Sequence, residues 1–138
     1  SLGGDLEFFP ATPSPMEQFV LVADDDPAML KLVSTIVEAE GFIAATANNG
    51  KEAYSALKSG AEFVLAVVDV MMPYIEGTEL VKFMQADERF KHIPVIMMTG
   101  ERSAKLTGEA LAAGAIAFLP KPFTNAQLRT TMRTLVQK

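Results

Sequence analysis

Three consecutive aspartates, Asp24, Asp25 and Asp26, stand directly after the apolar run Phe19–Ala23, and a fourth, Asp69, stands directly after the apolar run Phe63–Val68. Thr99 and Gly100 close a third run that begins at Val95, and Lys121-Pro122 comes shortly after a fourth, Ala117–Leu119. Two carboxylates about 5 Å apart at an effective dielectric near 20 repel by roughly 3 kcal/mol. Three such pairs would cost on the order of 10 kcal/mol, against about 5–15 kcal/mol for the stability of a whole domain. If the fold brings the first and third runs side by side, the four carboxylates converge at one rim and must be relieved by protonation, by Lys121 or by a bound cation. An all-oxygen site with few protein ligands and room for water and phosphate oxygens suits Mg2+, and the lack of a nearby His or Cys argues against zinc.

Each of these residues also has a plainer reading. Asp26 before Pro27 is a good helix N-cap with proline at the first helical position. Adjacent aspartates in a loop are usually just solvated, Thr99 fits a strand as a β-branched residue, and Lys121 fits a protein surface. Asp69 resists that treatment, because it lies between Val64–Val68 and Val70-Met71-Met72-Pro73. A carboxylate at the end of a core strand is costly unless it is paired or used.

The elements that must position these residues alternate regularly. Phe19–Ala23, Phe42–Ala47, Phe63–Val68, Val95–Thr99 and Ala117–Leu119 are the predicted strands, and four are continuous apolar or small-residue runs, the pattern of strands covered on both faces. Between them the spacing predicts five helices. Met29, Val33, Ile36 and Val37 mark the apolar face of the first, Ala53 and Leu57 the second, and Leu80, Val81 and Met84 the third. Leu106, Ala110 and Ala113 mark the fourth, and Leu128, Met132 and Leu135 the fifth. Gly41, Gly60 and Gly114 fall where helices should end, and Thr124 with Gln127 forms a capping-box pattern at the start of the last helix. Gly108 inside the fourth helix costs about 1 kcal/mol relative to Ala. Five strand-helix repeats imply a parallel sheet with helices on both faces, and in such sheets the working site lies outside the carboxyl ends of the strands. All the residues above sit at those ends.

Composition narrows the function classes. The chain has 138 residues, 17 acidic against 12 basic side chains, a net charge of −5, and neither cysteine nor tryptophan. It is one domain's worth of chain, large enough to bury a core without disulfides or structural metal. Its acidity argues against nucleic-acid binding by this domain, since phosphate contacts are made by clustered Lys and Arg. No apolar run approaches the ~18–20 residues of a membrane span, so a soluble, cytoplasmic protein is expected. Residues 1–17, with Pro10, Pro13 and Pro15 among small and acidic residues, read as a flexible leader, a linker or a scar cut from a longer protein, although Phe8 and Phe9 are able to dock on the domain.

The stretch from about Gln18 to Gln137 resembles the receiver domain of two-component response regulators. The motifs that carry the resemblance are Phe19–Ala23 followed by Asp24-Asp25, then Val67-Val68-Asp69-Val70-Met71-Met72-Pro73 with Gly77 four residues on, then Val95–Thr99 with Gly100, and finally Gly114-Ala115 leading to Phe118-Leu119-Pro120-Lys121-Pro122-Phe123. Together, in this order, they are highly specific. The resemblance implies a flavodoxin-like, doubly wound α/β fold, with a five-stranded parallel sheet in the order 2-1-3-4-5 and five helices, over residues 18–138. It implies that Asp69 is the phosphoacceptor for a phosphohistidine on a histidine kinase or histidine phosphotransfer protein. It further implies that Asp24, Asp25, Asp69 and the backbone carbonyl of Met71 hold Mg2+, that Lys121 pairs with Asp69 and then with a phosphoryl oxygen, and that the Lys121-Pro122 bond is cis. Thr99 and Phe118 would form the switch, Phe118 filling the space that Thr99 leaves as it turns inward, and the fourth helix, fifth strand and fifth helix would form the output face. Such a domain catalyses only its own phosphorylation and dephosphorylation.

Several positions depart from the family's commonest forms. Phe118 has no hydroxyl to hold it outside, which favours inward packing. Met71 and Gly100 flank the path of water to an acyl phosphate; Gly100 leaves it open, but Met71 offers no hydrogen bond to position the water, so moderate to slow dephosphorylation is expected. Arg129, Arg133 and Lys138 on the fifth helix are either solvated charge or part of a dimer or partner face complemented by Glu101 and Glu109. The lone His92 belongs to a polar loop. Among rivals, a cofactor binder on this fold needs a Gly, Ser or Thr-rich loop after the first strand. An aspartyl-phosphate hydrolase needs an acid two residues past its nucleophile, where this chain has Met71. A degenerate, binding-only receiver would not keep Asp24, Asp25, Asp69, Thr99 and Lys121 together.

Overall fold

The computed structural model describes residues 17–100 and 104–136, except for the side chains of Ala104 and Leu106. The leader reading for residues 1–16, and those for Glu101 and Lys138, lie outside the described residues. Strands β1 (Phe19–Ala23), β2 (Ile43–Ala47), β3 (Phe63–Asp69), β4 (Val95–Thr99) and β5 (Ala117–Pro120) form one parallel sheet in the order β2-β1-β3-β4-β5. Helices α1 (Pro27–Ala39), α2 (Gly50–Leu57), α3 (Gly77–Ala86), α4 (Ala104–Ala113) and α5 (Asn125–Leu135) connect and follow them. This is the doubly wound α/β architecture with strand order 2-1-3-4-5.

The continuous apolar strands feed two cores. Because successive side chains point to opposite faces, Leu21, Ala66, Val68, Val95 and Met97 pack with Leu57, Leu80 and Met84 on the face of α2 and α3. Val20, Val22, Leu65, Val67, Ile96 and Met98 pack with Val33, Ile36, Leu128 and Met132 on the face of α1 and α5. Each fully buried Val, Leu or Met contributes roughly 1.5–3 kcal/mol. A strand with one wet face could not read this way.

Three boundaries differ from expectation, the simplest being β5, which runs to Pro120 rather than Leu119 because Pro120 pairs with Thr99. β2 begins at Ile43 rather than Phe42, and as an edge strand it leaves Ile43 39% exposed, so only the inner strands are covered on both faces. Phe42 is buried just before it, among the side chains of the α1 core. β3 runs one residue further than its apolar run, because Asp69 continues the ladder opposite Met98. The punctuation behaves as the sequence indicates: Gly41, Gly60 and Gly114 all adopt positive φ, and Thr124 and Gln127 cap α5 reciprocally, at 3.1 Å and 2.8 Å.

Candidate functional site

β1 and β3 are neighbours, so Asp24, which follows β1, and Asp69, which ends β3, meet at the carboxyl rim of the sheet. Carboxylate oxygens of Asp24, Asp25 and Asp69 lie within 4.8 Å of one another. Asp24 is fully buried, Asp69 is 6% exposed, and Asp25 faces solvent. The expected fourth member is absent from this group. Asp26 instead accepts the Ala28 N–H at 3.0 Å and caps α1, while its own N–H donates to Asp24 Oδ1 at 2.9 Å. Three carboxylates converge, and the N-cap reading of Asp26 is the correct one.

Lys121 arrives from the far side of the sheet. Its N–H donates to the Thr99 carbonyl at 2.6 Å, extending the pairing of β4 with β5 by one residue, and the Lys121-Pro122 peptide is cis. Its ammonium donates to Asp24 Oδ2 at 2.8 Å and lies 3.2 Å from Asp69 Oδ1. One cation therefore bridges two buried carboxylates, where the sequence had suggested a pair with Asp69 alone. Burial and the Asp24 charge push the Asp69 carboxyl up to about 6, with Lys121 pulling it down and Asp25 adding to the rise. Burial disfavours the Lys121 ammonium, but the hydrogen bond to Asp24 and the charges of Asp69 and Asp24 outweigh it and raise its pKa.

Thr99, 2% exposed, ends β4 beside Asp69. The register places Met97 opposite Phe118 and Thr99 opposite Pro120, so Phe118 lies on the same face as Thr99, two positions back from the rim. Phe118 is half-buried against the core on that face. Met71 is exposed in the loop after β3, and His92 is exposed in the loop preceding β4, away from the rim. Arg133 grips Glu40, the C-cap of α1, through two hydrogen bonds of 2.7 Å and 3.0 Å, and is thus engaged within the chain. Glu109 lies 4.0 Å from Lys105.

Excess negative charge from three hard oxygen donors, with one lysine supplying incomplete compensation and neither His nor Cys in the group, fits a small divalent cation such as Mg2+. Sequence reasoning missed three features: at the rim the Asp24–Lys121 contact and the close glycine contacts of the loop after β3, and at the opposite end of α5 the Arg133–Glu40 clamp. The first had a signal in the shared rim position; the others depend on distances between elements.

The sequence model of the family "Response regulator receiver domain" matches residues 20–133. The chemotaxis protein CheY-3 of Vibrio cholerae is 34% identical over 120 residues, which cover 86% of this chain and 92% of that protein. The transcriptional regulatory protein CpxR homolog of Haemophilus influenzae is 37% identical over 121 residues, and there the matched part spans 50% of the relative's length. Among solved structures, the chemotaxis protein CheY4 of Vibrio cholerae superposes with a TM-score of 0.81 at 32% identity, covering 87% of this chain and 99% of that one. The matched segment runs from β1 to the last turn of α5 and contains every residue of the rim. The chain belongs to the response regulator receiver domain family, the phosphorylation-activated switches of two-component signalling.

Proposed function

We propose that Asp69 accepts a phosphoryl group from the phosphohistidine of a histidine kinase or histidine phosphotransfer protein. The observation that carries this reading is the buried Asp69 carboxylate, held beside the Lys121 ammonium at 3.2 Å in a rim of three carboxylates. In the reaction an Asp69 oxygen forms a bond to phosphorus as the bond from phosphorus to the imidazole nitrogen breaks, leaving an acyl phosphate. Phosphoryl transfer asks the protein mainly for positioning and charge neutralisation. Mg2+, held by Asp24, Asp25, Asp69 and the Met71 carbonyl, would neutralise the charge on the transferring group. Lys121 supplies the remaining positive charge, and its contact with Asp24 keeps it at the rim when Asp69 becomes an acyl phosphate. The domain catalyses only its own phosphorylation and dephosphorylation.

In this reading Thr99 turns its hydroxyl to the phosphoryl group and Phe118 moves further into the space it leaves, biasing an existing equilibrium between two arrangements. The output face is α4, β5 and α5, where Leu111 and Ile116 are 51% and 58% exposed and suit a homodimer or an attached domain. Arg133 is excluded from the charges available there by its grip on Glu40. Residues 18–138 form the signalling unit, and a cytoplasmic location accompanies a kinase phosphodonor. No helix among the described residues is long and apolar enough to cross a membrane.

Incubation with Mg2+ and a small phosphodonor tests the proposal. Intact mass should rise by about 80 Da, the mass of one phosphoryl group, and Asp69→Ala should abolish the rise. An adduct that survives Asp69→Ala would refute the assignment.

A further inference from the structure

The loop between β3 and α3 contains a strained turn held from outside by a residue without a side chain. Ile75 donates its N–H to the Pro73 carbonyl at 2.9 Å, and Tyr74 between them has φ 72°. A hydrogen bond closed around one residue of positive φ is the rare and strained form of the γ-turn. Among the described residues Tyr74 is the one non-glycine with positive φ, and its side chain is 78% exposed, with the Lys51 ammonium of α2 5.6 Å from its ring centre.

The restraint comes from α2. Gly50, its first residue, donates its N–H to the same Pro73 carbonyl at 3.3 Å, and a Cβ at Gly50 would run into the backbone oxygen and Cβ of Ile75. The start of α2 is itself fixed, since the Asn49 side chain caps it by accepting the Glu52 N–H at 2.8 Å. At the other end of the loop, Gly77 donates its N–H to the Val70 carbonyl at 2.9 Å, and a Cβ there would meet the Asp69 carbonyl. The segment that leaves Asp69 and carries Met71 is thus clamped at both ends by close backbone contacts that only glycine permits.

We propose that Gly50 is a positioning residue for the Mg2+ and phosphoryl site, acting through Pro73 and Ile75 to hold the loop that carries Met71. Strained backbone persists only where its surroundings over-determine it, and the contact of Gly50 with the turn supplies that determination. The inference rests on Asp24, Asp25, Asp69 and the Met71 carbonyl being the cation site proposed above.

Calorimetric titration of the whole chain with Mg2+, without phosphodonor, tests it. Gly50→Ala should raise the dissociation constant about 10-fold, the lower end of what supporting residues cost a metal site. Gly60→Ala is the control: it places a side chain at φ 93°, in open space beyond the far end of α2, and should lower stability while leaving Mg2+ affinity unchanged. Asn49→Ala, the second variant of this loop contact, introduces no collision but removes the cap that fixes the start of α2, so it should weaken binding in the same direction, and it decides the matter if Gly50→Ala does not fold. Unchanged affinity in both loop variants overturns the inference, as does an equal loss in Gly60→Ala. Failure of the unmodified chain to bind Mg2+ overturns the site reading and the inference with it, whereas binding that the loop variants leave intact removes the inference alone.

Discussion

The Lys121 ammonium is closer to Asp24, at 2.8 Å, than to Asp69, at 3.2 Å. Asp24 is fully buried and its other oxygen is taken by the Asp26 N–H. Removing the lysine leaves two buried carboxylates facing each other, the situation in which loss of one partner costs most. Lys121→Met should lower the stability of the metal-free chain by on the order of 3–5 kcal/mol, with Mg2+ restoring part of the loss. Urea unfolding with and without Mg2+ measures both effects, and an unaltered midpoint without Mg2+ would show that the bridge carries no net stabilisation.

Stability should depend on pH through Asp69. Its carboxyl is raised from 3.8 to about 6, so between these values the native chain retains a proton that the unfolded chain has lost. The native state then binds more protons, and stability falls as pH rises. The contribution is fully present below 3.8 and is lost as pH passes through 6. The shift corresponds to roughly 3 kcal/mol. Asp69→Asn removes this dependence, so the variant should gain on the unmodified chain between about pH 4 and about pH 7 in metal-free unfolding experiments. Parallel stability curves for the two proteins would contradict the shift.

Adjacent aspartates should separate cleanly by role. Asp26→Ala removes an N-cap and should cost about 1 kcal/mol of stability with Mg2+ affinity unchanged. Asp25→Ala removes an exposed carboxylate from the cluster and should leave stability nearly unchanged while weakening Mg2+ binding. Equal losses of Mg2+ affinity in the two variants would return Asp26 to the cluster.

Dephosphorylation tests the loop side chain. Met71, two residues past the proposed acceptor Asp69, is 59% exposed and its thioether has no N–H or O–H to offer a hydrolytic water. Met71→Asn should shorten the acyl phosphate lifetime by roughly 5-fold, the worth of one hydrogen bond of about 1 kcal/mol in the transition state. A lifetime of seconds that the substitution leaves unchanged would remove Met71 from the control of hydrolysis.

Strand positions were legible because Phe63–Val68 and Val95–Thr99 have no polar residue to break them, and the rim was legible because Asp24, Asp69, Thr99 and Lys121 all terminate such runs. What periodicity does not encode is distance across elements. Nothing local in Phe42 shows that its strand starts one residue later at a sheet edge. The Asp24-Asp25-Asp26 run carries no mark of which carboxylate turns back to cap a helix; Pro27 hinted at it, and the competition was settled by the N–H groups that α1 leaves unsatisfied. Tyr74 adopts a backbone conformation that sequence assigns to glycine or asparagine, since its cause lies in Gly50, far away in the chain.

The grip of Arg133 on Glu40 joins the last turn of α5 to the end of α1, while Thr124 caps the other end of α5, which follows the Lys121 segment of the charged rim. The 11 residues of α5 make a rod about 16 Å long. Leu128 and Met132 are buried between these two ends, so α5 is seated on the sheet along its length, and the exposed Arg133–Glu40 pair adds a contact at the end remote from the rim. A change at the rim would therefore reach the far end of α5 only by shifting the whole helix against its core.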